Sequence, residues 1–298
     1  MPGILKPFLY GTVFSLALGF TVWLHLTLAA RTAPKPAPLN PRRIITLSPS
    51  VTETVCALGL CSRVIGVTKY CRYPPEVADR PAVATFSELN YEAIVRLKPD
   101  LIVSPADKET NSERLSRLGL TVLTLDTGSL DGYLAQVLSL GRALGREKEA
   151  RNITGRLTGS FNEARLKSRG RPKPTVLFSI MHNYEGLGYI TEINAVGRDG
   201  FFSRLLEDAG GINVYRGPLP FPRLSRESII FLNPEVIVDI ILETEDLSAV
   251  LKDWQSLGTV PAVKNDRVYF LTEQSDTVPG PRIYQTVDRL SALLFPDI

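Results

Sequence analysis

Residues 92–103 read EAIVRLKPDLIV, and residues 227–238 read ESIIFLNPEVIV. The two stretches agree at Glu, Ile, Leu, Pro, Ile and Val. In each, an acid stands in the first turn of a short helix and Asn90 or Ser225 is placed to cap it. A proline, lacking the N–H that a helix interior needs, then stops the helix ahead of an aliphatic strand. One copy is a helix-to-strand step, and two copies imply a chain built of two related halves. Glu92 and Glu227 each complement a helix dipole, an effect worth about 0.3–1 kcal/mol at a surface. Their repetition also suits a paired role, two matched acidic knobs facing one two-fold partner.

Outward from each copy the grain is the same. RIITL from Arg43, RVIGV from Arg63, DLIVS from Asp100 and TVLTL from Thr121 read as strands, separated by helices that start near Ser50, Asn90 and Asn111. TVLFSI from Thr175, EVIVDI from Glu235 and RVYFL from Arg267 resume the pattern. Such alternation implies parallel, helix-covered sheets. Ser50 followed by Glu53 has the spacing of a capping box directly behind the first strand. Between the two sets lies a helical stripe of Leu134, Val137, Leu138, Gly141 and Leu144, continued by Ala150, Ile153, Leu157, Phe161 and Ala164. Its second part, residues 146–169, would extend about 36 Å, longer than packing within one lobe requires, and reads as a strut. The expected architecture is α/β: two Rossmann-like lobes with mostly parallel sheets, residues 43–145 and 171–298, joined by one long backbone helix at 146–170.

The N-terminal residues are of another kind. Residues 8–30 contain no Asp, Glu, Lys or Arg, and as a helix they are long enough to cross a hydrocarbon core of about 30 Å. Residues 1–30 therefore read as an N-terminal apolar helix, either an export signal, with Thr27 and Ala29 near a cleavage site, or an anchor in the inner membrane. Residues 31–42 include TAPKPAPLNP, a proline-stiffened spacer. The first cysteine is Cys56, too far along to carry a lipid behind the span.

In the whole chain of 298 residues, 44% are hydrophobic and 22% charged, which excludes a disordered class. Lys and Arg number 34 against 31 Asp and Glu, a net charge of +3 that gives no electrostatic case for nucleic acid. Cys56, Cys61 and Cys71 read first as small buried side chains. An oxidising compartment would allow one disulfide among them, with the pairing open. A zinc site lacks a fourth ligand, since His182 is the one histidine beyond the apolar stretch.

RIITLSPSVTETVCALGL, VIGVTKYCRYPPEV, NYEAIVRLKPDLIV, FFSRLLEDAGGINVY, PFPRLSRESIIFLNPEVIV and GPRI together resemble the helical-backbone (class III) solute-binding proteins of ABC importers. The Y-C-x-Y-P-P and P-F-P-x-x-S-R-E segments are most similar to the cobalamin-binding members. The resemblance implies a ligand cleft between two lobes, no cofactor beyond the cargo itself, and a monomer that delivers a metal chelate to a permease dimer with its ATPase subunits. It implies that Glu92 and Glu227 dock on basic residues of that dimer. Cleft-lining rings fall on Tyr70, Phe86 and Phe221, with Tyr184 a looser match, and a polar contact falls near Ser275 or Asp276. Phenyl rings at Phe86 and Phe221, where an indole is common, leave haem or a ferric siderophore as alternatives to cobalamin or a related corrinoid.

Side-chain chemistry agrees with that cargo. Aromatic rings bury about 150–250 Å² each at low entropic cost and suit a large planar ligand. Arg72 and Arg223 flank the rings and could meet a carboxylate or phosphate. Enzyme readings lack parts. EGLGYIT has Gly186 and Gly188 but Thr191 where a dinucleotide fingerprint needs a third glycine, and no phosphate-binding G-x-x-x-x-G-K loop occurs. The remaining catalytic alternative is a membrane-tethered cleft enzyme with Cys71 as nucleophile and His182 beside it.

Overall fold

The computed structural model describes residues 39–85, 88–106, 109–182, 189–198, 200–241 and 246–296. Residues 39–298 form one compact unit. The apolar stretch at 8–30 lies outside the described residues, among which no helix is long and apolar enough to cross a membrane.

The first sheet holds β1 (Ile44–Thr46), β2 (Val64–Thr68), β3 (Ala82–Ala84), β4 (Leu101–Pro105) and β5 (Val122–Leu125), in the order β3-β2-β1-β4-β5. Every pairing in it is parallel. The second sheet runs β11 (Val268–Leu271), β10 (Val236–Ile240), β6 (Thr175–His182), β7 (Glu192–Ala195) and β9 (Arg223–Ser225), with β8 (Ile212–Asn213) also on β6. There β7 is antiparallel to both neighbours and the other pairings are parallel. The expected α/β architecture of two mostly parallel sheets is therefore present.

Strand residues alternate between two apolar layers, as a period of two requires. Ile44, Leu101 and Val103 enter one core and Ile45 and Ile102 another. In the second sheet Val176, Phe178, Val236 and Val238 enter the first core while Leu177 and Ile237 enter a third. The core shared by both sheets is bridged by Ala150, Ile153, Leu157, Phe161 and Ala164 on the buried face of a 22-residue helix, Glu147–Ser168. Arg165 on that helix forms a two-pronged bond with Asp208, at 2.9 Å on both oxygens. The sequence stripe is broken at residues 144–146. Leu130–Ala143 is a separate helix, and its Gly141 packs so close to Ala150 that a side chain there would collide. Leu138, expected in the stripe, is 37% exposed; Tyr133 and Leu140 take the core side.

The first helix begins at Pro49, not Ser50. Ser48 is its cap, accepting from the Val51 N–H at 3.2 Å. Glu53 therefore does not complete a capping box. The helix runs on through a wider turn to Gly59, whose left-handed backbone (φ 78°) folds Cys61 back to a disulfide with Cys56. Cys71 stays a buried thiol between the Thr52 and Thr68 hydroxyls, at 3.1 and 3.2 Å.

Candidate functional site

The two repeat copies fold alike. Asn90 caps the helix Tyr91–Arg96 by accepting from Ala93, and Ser225 caps Arg226–Leu232 by accepting from Ser228. Ile94 and Ile229 are both fully buried, and Lys98 and Asn233 turn helix into strand with φ of 47° and 51°. The acid two residues later also matches. Asp100 accepts the N–H groups of Arg42 and Arg43 at 2.8 and 3.0 Å, and Glu235 accepts that of Thr175 at 2.7 Å. Glu92 and Glu227 are both exposed. Hydrogen bonds from its own backbone N–H and from the Ser225 hydroxyl (2.8 Å) hold the Glu227 carboxyl below the usual carboxylate range.

In a doubly wound sheet a ligand crevice lies beyond the carboxyl ends of the strands, where the order reverses. Here that is the edge between β1 and β4. Tyr70 follows β2 by two residues, is 43% exposed and has the Lys69 ammonium 5.0 Å from its ring centre. Arg72 is exposed beside it. Phe86 and Tyr184 lie outside the described residues, as does the side chain of His182.

Phe221 is 50% exposed in a segment laid along β7, where Ala195 and Gly197 donate to the carbonyls of Pro222 and Pro220. That register sets it beside Val196, level with the middle of β6 and not at the strand's carboxyl end. Arg223 pairs with Glu192 at 3.4 Å. Asp276 departs from the expected ligand contact. It is fully buried and accepts from Thr286 at 2.6 Å, from the Glu273 N–H at 3.1 Å and from Arg289, while Ser275 is 1% exposed and also bonded to Arg289. Both residues fasten the short helix Gln274–Thr277 to the final helix, Ile283–Leu294.

The structure adds a group that sequence reasoning missed. Glu53, 2% exposed, receives Nε and Nη2 of Arg282 at 2.8 and 2.6 Å. The guanidinium also stacks 3.7 Å from the centre of the Tyr73 ring. Burial works to lower the Arg282 pKa and the Glu53 carboxylate outweighs it, so the guanidinium stays charged. Gly280 passes against Ser50 and Glu53, so the segment beyond β11 meets the segment behind β1. A groove of about 550 Å³ runs beside this joint, lined by Tyr73, the Cys56–Cys61 disulfide, Arg156 and Tyr284 among others. The signal for the joint was in the sequence, in the E of SPSVTE and the R of GPRI, but nothing local links the two.

Two α/β halves joined by the buried Glu53–Arg282 pair, each with an exposed acid in the first turn of its repeated helix, make a two-lobed protein. Residues 44–275 match the family described as periplasmic binding protein, and the chain belongs to it. It is 28% identical over 267 residues to an uncharacterized ABC transporter substrate-binding lipoprotein of Bacillus subtilis, covering 87% of this chain and 81% of that one. It is 26% identical over 267 residues to the vitamin B12-binding protein of Salmonella choleraesuis, covering 88% and 90%. These relatives are named as binding proteins, not enzymes. In fold it is similar to the periplasmic vitamin B12-binding protein of Vibrio cholerae (TM-score 0.71, 23% identity, 86% and 98% covered). It is equally similar to the periplasmic heme-binding protein of Roseiflexus (TM-score 0.72, 24% identity, 85% and 98% covered).

Proposed function

We propose that this chain is the extracytoplasmic substrate-binding component of an ABC importer, capturing a corrinoid or similar metal chelate and handing it to the permease dimer. The observation that carries the reading is the pair of equivalent exposed acids, Glu92 and Glu227, each in the first turn of a capped helix in its own half. A dimer offers two equivalent basic patches, and a monomer matches them by carrying the same charge twice. The half-exposed ring of Tyr70 at the strand ends supports a planar cargo, with Phe86, Phe221 and Tyr184 as further proposed contacts. The names of the relatives favour cobalamin among such cargoes. Asp276 is left out of the proposed site because its carboxylate is internal. Residues 8–30 direct export and, if uncleaved, hold the body at the outer face of the inner membrane.

A Glu92→Ala, Glu227→Ala double variant tests this. It should fold, retain its ligand and lose about tenfold in uptake, as expected when rim charges that steer docking are removed. Full uptake would reject the docking role. Cargo is tested separately by absorption spectra of the full chain after incubation with cobalamin, haem or a ferric siderophore. A retained corrinoid band is expected, and retention of haem alone would reassign the ligand.

A further inference from the structure

The matched helices differ in polarity at one exposed position. One turn beyond Glu92 stands Arg96, and one turn beyond Glu227 stands Phe231. Both positions are exposed. Phe231 reaches 87%, the highest value for any large apolar side chain among the described residues. Residues four apart share a helix face, so a surface that contacts Glu227 also meets the phenyl ring. Beside the ring lies a shallow depression of about 430 Å³, lined by Tyr215, Leu224, Glu227, Ser228, Phe231 and Leu232. The neighbouring cation is turned away, since Arg226 donates to the hydroxyl and carbonyl oxygens of Ser256 at 2.7 and 2.5 Å.

Isolated exposed apolar residues are ordinary. A protruding ring beside an apolar hollow and a carboxylate, on one helix face, is a built contact surface. We infer that Phe231 is an apolar anchor for the permease, entering a hydrophobic recess next to the basic residue that receives Glu227, so that the C-terminal half grips by charge and by burial of a ring, where the N-terminal half presents the charged Arg96 instead. The inference rests on the docking reading above. Charge selects the occupant: an ionised Glu227 lining the patch is repelled by anionic lipid, and a two-fold contact with a second copy would bring two such carboxylates together.

The test uses the full chain and the permease–ATPase complex of its importer in the same detergent, measuring Kd over a range of salt. Phe231→Ala should weaken binding about tenfold, the scale of one interfacial aromatic anchor, without altering the salt dependence. Phe231→Leu should recover most of the loss, and Glu227→Gln should flatten the salt dependence. The melting temperature of Phe231→Ala should not fall. If Phe231→Ala binds like the parent while Glu227→Gln is weakened, the anchor is rejected and docking stands. If neither matters, or the parent does not bind, both are rejected. Loss of binding to protein-free anionic phospholipid vesicles with permease affinity intact would reassign the ring to the membrane. Conversion of a dimer to a monomer by Phe231→Ala, seen by sedimentation, would reassign it to self-association. Either result overturns the inference.

Discussion

The N-terminal and C-terminal halves carry the same helix-to-strand unit inside sheets of different construction. The first sheet is wholly parallel, whereas in the second an antiparallel β7 and an edge strand β9 replace the outer parallel strands. What stays constant is local: a cap, a buried Ile, a left-handed turn and an acid that receives backbone N–H groups where the neighbouring strand begins. That unit fixes where Glu92 and Glu227 stand whatever surrounds it. What varies is the sheet edge, along which Phe221 lies, and one position of the repeated helix, Arg96 in the first half and Phe231 in the second. The placement of the two acids is thus inherited from the repeat, and the halves differ in what stands around them.

The comparison breaks most sharply at the joint. Arg282→Ala leaves Glu53 buried without its cation, which costs about 3–5 kcal/mol. Chemical denaturation should show that loss, with the single transition dividing in two if the halves then unfold separately. One transition with unchanged stability would mean that the shared apolar core, and not the ion pair, couples them. A smaller effect confined to the first half comes from a Cys56→Ser, Cys61→Ser double variant. Closing so short a loop restrains the unfolded chain by about 2 kcal/mol, and the loss should leave Cys71 protected from thiol reagents. Labelling of Cys71 in the folded variant would show that the disulfide guards more than its own turn.

The smallest effect sharpens the difference between the two acids. The Glu227 carboxyl is held low, so its negative charge is present above the ordinary carboxylate range, persists as pH falls through it, and is lost only below; the docking proposed for it should follow the same course. Ser225→Ala removes one of the responsible hydrogen bonds and should move the acid limit of docking upward, at a stability cost of about 1 kcal/mol for the lost cap. An unmoved limit would assign the acid sensitivity elsewhere.

Much of this was legible. The repeat, strands β1, β2, β4, β5, β6, β10 and β11, and the helix of residues 147–168 all have patterns that one stretch of sequence displays by itself. Strands β7 and β9 were not, because EINA and RLS are short, antiparallel and interleaved with charge, and leave no apolar run to read. Glu53 was read as a cap because S-x-x-E is a local signal, and its true partner stands 229 residues away. The internal bonding of Asp276 was hidden for the same reason, since it depends on Thr286 and Arg289, 10 and 13 residues further along the chain. The disulfide was left open, although Gly59 between the two cysteines supplied the reversal that closes it.

The Glu53–Arg282 pair also sets an order of events. A chain made from its N-terminus presents Glu53 early, while the guanidinium that answers it arrives with the last helix. Until then the carboxylate has only water in place of a partner, and the first half waits in a looser state. A chain interrupted before residue 282 would hold every described strand of both sheets and still lack their clasp. Its incompleteness would be exposed at the joint, where a protease that surveys exported proteins finds slack backbone first.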